Sequence, residues 1–265
     1  MTLLFPNPQN PSTPEVQQSS AELPVSPLAL AVSGLSFAYP DGTDVLEQIA
    51  FDVMVGERVG VLGPNGAGKT TLFKMICGLL RPTEGEMCLF DQLIETGCFR
   101  SDLGFVFQNP NDQLFSASVW EDIAFGPQNM GLPPDAVDRC VANALTLTGT
   151  QSLTQRLPHH LSGGEKRMVA IATVVAMNPR LIIYDEPSAN LDLRARRRLI
   201  QYLQDSEETI MVASHDLEMI LEVCDRVFLI DHGHIVADGD PKEIMKERTL
   251  MESHGLEVPY SLGST

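Results

Sequence analysis

Basic residues are scarce in this sequence. The chain has 265 residues, of which 18 are Lys or Arg and 35 are Asp or Glu, and its formal net charge is −17. A protein that binds nucleic acid neutralises phosphates with a basic surface, so this charge argues against a nucleic-acid partner. The same shortage argues against adhesion to anionic lipid through charge alone.

Long apolar runs and an N-terminal targeting segment are also missing. The longest apolar stretch, residues 168–177, is shorter than the roughly 20 residues that cross a bilayer as a helix. The first basic residue is Arg58, and Pro6 interrupts the opening apolar residues, so no signal peptide is predicted. We therefore expect a cytosolic protein that reaches a membrane only through a partner.

Cysteine is sparse and lacks the spacing of a metal site or a disulfide framework. The five cysteines are scattered, and no two of them form a CxxC pair. We expect reduced thiols that serve mostly as small core residues. They are Cys77, Cys88, Cys98, Cys140 and Cys224.

The chain divides into a tail, a long folded part and a second tail. Residues 1–27 hold six prolines and show no periodicity, which predicts a disordered tail. Antiparallel strands are expected from Leu28 to residue 53. Beyond residue 58, strands and helices alternate up to residue 240, which predicts an α/β fold with a mainly parallel sheet covered by helices. A helical insert is expected over about 109–178, and a helical or extended tail over 241–265.

Individual elements of the α/β part can be predicted from periodicity. A buried strand over 59–62 leads through a glycine-rich turn into a helix that ends at Arg81 and Pro82, with an apolar face formed by Leu72, Met75, Ile76 and Leu79. Later helices are predicted over 165–177, 194–203 and 216–224, and strands over 181–184 and 209–213. A hairpin over 227–237 is expected to turn at His232 and Gly233.

The strongest chemical signal is the segment 63–70, which fits the P-loop pattern GxxxxGK[ST] between a strand and a helix. Gly66 and Gly68 let backbone N–H groups converge on a phosphate, helped by the dipole of the following helix. Lys69 is expected to reach the β- and γ-phosphates, and the Thr70 hydroxyl to ligate Mg²⁺.

A second carboxylate-bearing segment follows the buried strand over 181–184. Asp185 is placed to hold the metal, and Glu186 to polarise a water for in-line attack on the γ-phosphate. Acids that end a buried strand are common, and here the accompanying P-loop favours the catalytic interpretation.

Residues 161–165 read Leu-Ser-Gly-Gly-Glu and open a helix. Ser162 and Glu165 form a capping box. Two glycines in the first turn destabilise a helix, so Gly163 and Gly164 are not explained by the cap. A helix N-terminus with bare backbone and a serine hydroxyl predicts a second phosphate site.

In this order, the motifs resemble the nucleotide-binding domain of ABC ATPases over about residues 28–240. The smaller family elements are Tyr39 as the aromatic residue that stacks on adenine, Gln108 as the Q-loop, residues 188–192 as the D-loop and His215 as the switch histidine. The resemblance implies a P-loop NTPase fold with a RecA-like, mainly parallel sheet, a small antiparallel β-subdomain and a helical subdomain.

The resemblance also implies residue roles and a dimer. A second copy, or a close ATPase paralogue, would pack head to tail so that each ATP lies between one P-loop and the other chain's Leu-Ser-Gly-Gly-Glu segment. The implied catalytic residues are Lys69, Gln108, Glu186 and His215, and the implied Mg²⁺ ligands are Thr70, Gln108 and Asp185. The implied nucleotide contacts are Tyr39, Asn65, Gly66, Ala67, Gly68, Lys69, Thr70, Thr71, Ser162, Gly163, Gly164 and Glu165.

Two further segments narrow the resemblance. Residues 107–115 and 119–127 look like the ATPase subunits of energy-coupling factor importers, which take up vitamins or transition-metal ions. Residues 250–259 are similar to the tail of the cobalt and nickel subunits. This implies a transmembrane coupling subunit, a substrate-binding membrane subunit and a peripheral position on the cytoplasmic side of the cell membrane.

Other interpretations stay open. The same ATPase could energise a vitamin importer, or it could be a soluble ABC ATPase, although no coiled-coil insertion or second ATPase unit is visible. A P-loop kinase would leave the Leu-Ser-Gly-Gly-Glu segment without a purpose. We do not expect His159, His160, His232 or His234 to bind metal, and the basic run 194–198 is interpreted as a solvated helix face.

Overall fold

The computed structural model describes residues 28–263; the predicted disordered tail over residues 1–27 lies outside them. The strands are β1 (Leu28–Ala38), β2 (Asp44–Met54), β3 (Arg58–Leu62), β4 (Glu84–Leu89), β5 (Gln92–Leu93), β6 (Leu103–Val106), β7 (Leu181–Asp185), β8 (Thr209–Ala213), β9 (Arg226–Asp231) and β10 (His234–Gly239). The helices are α1 (Lys69–Ile76), α2 (Val119–Asn129), α3 (Pro134–Thr148), α4 (Gly163–Val175), α5 (Leu193–Asp205), α6 (Leu217–Val223), α7 (Pro241–Lys246) and α8 (Arg248–Ser253).

A six-stranded sheet in the order β10-β9-β3-β8-β7-β6 forms the centre of the molecule. Every pairing in it is parallel except that between β9 and β10. Strands β3, β7 and β8 are buried along almost their whole length, as expected for a sheet covered on both faces. The carboxyl ends of the parallel strands share one edge, and the sequence motifs follow these ends.

A second, antiparallel sheet has the order β2-β1-β4-β5. Its inner face and one face of the parallel sheet enclose α1 in a common apolar core, to which Phe51, Phe73 and Phe228 contribute. A third part consists of α2, α3 and α4, which pack on one another around Ile123 and Val141. This arrangement confirms the predicted fold class, a mainly parallel α/β sheet with an antiparallel sheet and a helical part.

The prediction for the first helix is wrong at its C-terminal end. Helix α1 ends at Ile76, because Gly78 adopts a left-handed conformation with φ 67°. Leu79, expected on the buried face, lies outside the helix and is 55% exposed. Leu72, Met75 and Ile76 are fully buried, as predicted.

Three strands between residues 84 and 106 were not predicted. Strand β4 carries two glutamates and a glycine, so its sequence lacks the β-branched signature of a strand. Strand β6 has only four residues, too few for a periodicity to be recognised. It nevertheless forms the edge of the parallel sheet next to β7 and leads directly to Gln108.

The thiols are less buried than the sequence suggested. Cys224 is buried, Cys98 is exposed and the other three are half-buried, so the expectation of mostly core residues is met fully only by Cys224. All five are free. Burial raises the pKa of the Cys77 thiol to about 12.

The last residues pack against the parallel sheet's other apolar core. Helices α7 and α8 bury Met245 and Met251, and the extended residues that follow contribute Leu256 and Val258 to the same core. Within residues 28–263, no helix is both long enough and apolar enough to cross a bilayer.

Candidate nucleotide-binding and catalytic site

The P-loop follows β3 and is held tightly between neighbouring strands. A Cβ atom on Gly63 would lie 2.1 Å from the Ile230 carbonyl oxygen of β9, so the backbone here can approach only without a side chain. Gly68 caps α1 with φ 100°, and a Cβ atom there would lie 2.7 Å from Leu46 of β2. The loop is therefore fixed by both sheets before any ligand binds.

Lys69 is turned back on its own loop. Its Nζ donates hydrogen bonds to the carbonyl oxygens of Gly63 at 2.7 Å and Pro64 at 3.0 Å. Burial lowers the pKa of this amine, while the carboxylates of Glu186 and Asp185 raise it in opposition. A phosphate bound in the loop would offer this cation a stronger, charge-assisted acceptor than the two carbonyls.

Thr70 and Asp185 lie together although 115 residues separate them. The Thr70 hydroxyl donates to Asp185 Oδ2 at 2.9 Å, and Asp185 is only 3% exposed. Burial raises the pKa of Asp185, and the Thr70 hydrogen bond and the Lys69 charge counter that rise. A hydroxyl and a carboxylate are the hard oxygen ligands that Mg²⁺ prefers, so the pair fits this ion.

Glu186 occupies a strained position next to the site. Its φ is 48°, a left-handed value that is uncommon for a glutamate. Oε2 accepts a hydrogen bond from the His215 backbone N–H at 3.2 Å, whereas the buried Oε1 has no hydrogen-bond partner among the described residues. Burial raises the pKa of this carboxyl, and the His215 N–H and side chain lower it in part. An acceptor oxygen without a hydrogen-bond donor suits the general-base role predicted for Glu186.

His215 reaches across to the P-loop. Its Nε2 lies 2.8 Å from Asn65 Oδ1 and 3.5 Å from Glu186 Oε1. The imidazole is half-exposed and is therefore free to exchange the Asn65 amide for a ligand oxygen. The structure thus brings together the P-loop, the predicted metal ligand Asp185, the predicted base Glu186 and the predicted switch histidine His215.

These groups line one cleft of about 860 Å³, large enough for a nucleotide. Tyr39 lines the cleft and is 39% exposed, with its hydroxyl 3.4 Å from Thr71 Oγ1, so it is accessible to a base. Gln108, two residues after the end of β6, also lines the cleft. The sequence-predicted residues that line the cleft are Tyr39, Asn65, Gly66, Ala67, Gly68, Lys69, Thr70, Thr71, Gln108, Asp185, Glu186 and His215.

The remaining predicted residues lie outside this cleft. Ser162 caps α4, and its backbone N–H donates to Glu165 Oε2 at 2.8 Å, which completes the predicted capping box. Gly164 has a packing reason that the sequence did not reveal, because a Cβ atom there would lie 2.7 Å from the Ala195 Cβ of α5. A Cβ atom on Gly163 would meet nothing nearer than a carbonyl at 3.9 Å.

The sequence did not predict the environments of two arginines, one lining the cleft and one buried behind the Gln108 loop. Arg196 was interpreted as part of a solvated face, but its guanidinium binds Asp216 Oδ2 at 2.5 Å and Oδ1 at 2.8 Å beside the cleft. Burial raises the pKa of Asp216, and the Arg196 hydrogen bonds outweigh this and lower it. Arg167 is almost fully buried, and its NH2 donates to the Gln108 carbonyl oxygen. The available signal for Arg167 was its position on the apolar face of α4, with Ala170, Ile171 and Val174.

The chain is similar to proteins with a known family. A model of the ABC transporter family matches residues 46–189. A protein of Synechocystis sp. named as an ABC transporter ATP-binding protein is 55% identical over 93% of this chain and 86% of its own length. The energy-coupling factor transporter ATP-binding protein EcfA of Methanothermobacter thermautotrophicus is 45% identical over 85% of this chain and 75% of its own.

A solved structure agrees with these relatives. CbiO1 of Clostridium perfringens, described as part of the ABC transporter complex CbiONQ, superposes with a TM-score of 0.76 at 37% identity. The alignment covers 89% of this chain and 97% of CbiO1.

Replacement of the candidate base should separate binding from hydrolysis. We expect Glu186→Gln to bind ATP as the unmodified protein does, and to hydrolyse it about 100-fold more slowly or worse, because an amide cannot take the proton of the attacking water. Nucleotide binding and phosphate release, measured on the same preparation, check both parts. Glu207→Gln, which changes an exposed carboxylate before β8, is the matched control. Equal hydrolysis by Glu186→Gln and the control would exclude Glu186 as the base.

Proposed function

The chain belongs to the ABC transporter family, and we propose that it is the ATP-hydrolysing subunit of an energy-coupling factor importer for cobalt or nickel ions. Its ATP-binding domain makes it an ATPase of this family. The importer type and the transported ion are the proposed parts. The observation that carries the importer type is an apolar groove next to Gln108 that is suited to a partner helix.

The proposed chemistry uses the side chains of the cleft. Lys69 and the loop amides bind the phosphates, and Tyr39 stacks on the base. Thr70, Asp185 and Gln108 are the residues that would hold Mg²⁺, which neutralises charge on the phosphates. Glu186 orients and deprotonates the water, and His215 turns from Asn65 to the γ-phosphate.

A second copy would complete each site. The signature residues, namely Ser162, Gly163, Gly164 and Glu165, do not line the cleft that contains this chain's own P-loop. Gly163 is free of packing constraints in the single chain, so its backbone is open to a ligand from outside. A head-to-tail dimer would bring this helix N-terminus against the nucleotide of the other copy, so the position of these residues outside their own cleft supports the proposed partner.

The groove lies where the helical part meets strand β6 and has a volume of about 560 Å³. Phe115 and Phe125 are 67% and 48% exposed and meet edge to face at 5.0 Å between ring centroids. Large apolar side chains in a shared concave patch mark interaction sites. The other aromatic residues of the wall are Phe99, Phe105 and Phe107.

One buried carboxylate adds polarity to the groove. Asp122 is 3% exposed, and its Oδ1 accepts hydrogen bonds from the backbone N–H groups of Phe115 at 3.0 Å and Ser116 at 2.9 Å. Its Oδ2 is buried and has no hydrogen-bond partner within residues 28–263. An apolar groove with an acceptor in its wall suits an amphipathic helix that carries a donor, as a membrane coupling subunit would supply.

The proposal of cobalt or nickel rests on sequence similarity to other ATPases and not on metal-binding residues in this chain. Residues 250–259 are similar to the tail of cobalt and nickel subunits, and the relatives include energy-coupling factor ATPases. An energy subunit does not need to touch the ion. His234 Nε2 lies 3.4 Å from Glu47 Oε2, and the ring centroids of His159 and His160 lie 4.3 Å apart. As the ATPase subunit of such an importer, the chain would lie at the cytoplasmic face of the cell membrane.

Disruption of the groove should release the chain from membranes. We expect Phe125→Ser, co-expressed with the membrane subunits, to shift from the membrane pellet to the supernatant, because it removes apolar area that a docked helix buries. Leu147→Ser, at an exposed leucine of α3 outside the groove, is the matched control and should stay in the pellet. Nucleotide binding by both variants checks their folding. An unmodified chain that leaves washed membranes at moderate salt would instead indicate a soluble ATPase.

Uptake of labelled ions tests the substrate. Cells that make this chain with its native membrane partners should accumulate Co²⁺ or Ni²⁺, and cells with Glu186→Gln should not, since hydrolysis drives the import cycle. Equal accumulation of both ions in the two strains would contradict metal import. In that case, the same comparison with labelled vitamins would identify the alternative cargo.

A further inference from the structure

Arg167 is a buried cation that the proposed chemistry does not use. It belongs to α4, five residues after Ser162, and it is 2% exposed. Its NH1 donates to the Phe107 carbonyl oxygen at 2.7 Å, and its NH2 donates to the Gln108 carbonyl oxygen at 2.6 Å. The guanidinium therefore binds the carbonyl oxygens of two successive residues, Phe107 and Gln108.

The geometry of these bonds requires an arginine. A planar guanidinium offers parallel N–H donors in a fixed fork, so it can bind two neighbouring acceptors at once. A lysine ammonium at the same place is a point charge and lacks that fork. The two short contacts therefore fix the orientation of the peptide plane between Phe107 and Gln108 as well as its position.

Nearby carboxylates stabilise the positive charge of Arg167. Burial lowers its pKa to about 10, and the carboxylates of Asp185 and Glu186 raise it in opposition, so the guanidinium is charged at neutral pH. Its NH2 also lies 3.5 Å from the Glu186 carbonyl oxygen. The same side chain thus contacts the Gln108 loop and lies beside the acid pair at the end of β7.

The rest of the loop is attached to the same helix. Gln113 Nε2 donates to the Ala170 carbonyl oxygen and the Thr173 hydroxyl, both at 2.8 Å, and its Oε1 accepts from the Phe107 N–H at 3.1 Å. Lys166 Nζ donates to Asn111 Oδ1 at 2.8 Å. Phe107 and Gln113 also line the apolar groove, so the loop runs from the groove to the cleft along α4.

We propose that Arg167 is a positioning residue that sets Gln108 at the metal and γ-phosphate position and links its placement to the signature helix α4. This proposal deepens the ATPase function and needs no membrane partner. A displacement of α4 moves the guanidinium, and the guanidinium moves the two carbonyls. Loss of the fork would leave ATP binding intact, because Arg167 does not line the cleft, and would lower the rate at which bound ATP is hydrolysed.

Four proteins test the proposal in the isolated chain: Arg167→Gln, Arg167→Lys, Gln108→Ala and the double variant Arg167→Gln with Gln108→Ala. We expect Arg167→Gln to lower kcat about tenfold to 100-fold, since small misplacements of a positioning residue cost this much, with KM for ATP nearly unchanged. Arg167→Lys should recover only part of kcat. Arg139→Gln, which removes an arginine 70% exposed on α3, is the matched control for loss of an arginine.

The double variant distinguishes positioning from a general loss of structure. If Arg167 acts through Gln108, the double variant should be no slower than the slower of its two parents, whereas independent effects would multiply. Hydrogen exchange of residues 107–114 in the nucleotide-free protein gives a readout without hydrolysis, and we expect faster exchange in Arg167→Gln than in Arg139→Gln. Multiplicative loss in the double variant, or unchanged kcat in Arg167→Gln, would overturn the proposal. Lack of hydrolysis by the unmodified chain would instead overturn the ATPase function itself.

Discussion

The site depends on the register of three parallel strands. Ala213 of β8 is opposite Val61 of β3 and also opposite Asp185 of β7, so the three strands end together. The Glu186 backbone N–H extends the ladder by one step and donates to the Ala213 carbonyl oxygen at 2.9 Å. The P-loop, the acid pair and His215 each begin where one of these strands stops. A shift of one residue in any pairing would turn its side chains to the opposite face and dismantle the cleft.

The balance of charge at the carboxyl ends of β3, β7 and β8 is a second constraint on the site. Two buried cations, Lys69 and Arg167, lie near two buried carboxylates, Asp185 and Glu186, and each pair moderates the pKa shifts that burial imposes on the other. Isolated charges would be costly in such an interior. ATP with one Mg²⁺ carries a net negative charge, which Lys69 and the backbone N–H groups of the P-loop would compensate. Hydrogen bonds within the site hold these groups in place, for example that from the Thr70 hydroxyl to Asp185 Oδ2 at 2.9 Å.

Local motifs were predictable because their chemistry depends on neighbouring residues. The P-loop, the acid pair, the capping box of Ser162 and the turn at His232 and Gly233 are each encoded within a few positions, and the structure places them as expected. The fold class followed from the alternation of strands and helices. The convergence of Thr70 with Asp185 was inferable because parallel strands share a carboxyl edge.

Long-range packing was what the sequence concealed. Neighbouring residues do not indicate that Gly164 packs against Ala195 or that Arg196 pairs with Asp216. They also do not indicate that Arg167 binds the backbone of the Gln108 loop. In each case the partner lies on another element of the fold. The end of α1 was misplaced since Leu79 continues the apolar spacing, while Gly78 ends the helix. Strands β4, β5 and β6 gain their stability from pairing with β1, β4 and β7, not from their own composition.

We propose that two copies of the chain share each nucleotide, with the P-loop from one copy and the N-terminus of α4 from the other. The mass in solution of Glu186→Gln, which we expect to bind ATP without hydrolysing it, tests this dimer. It is measured with and without Mg²⁺ and ATP, beside the same protein carrying Ser162→Arg. We expect an ATP-dependent dimer for Glu186→Gln, and a monomer that still binds ATP when Ser162→Arg is added. A dimer that survives Ser162→Arg, or a Glu186→Gln chain that stays monomeric when saturated with ATP, would contradict it.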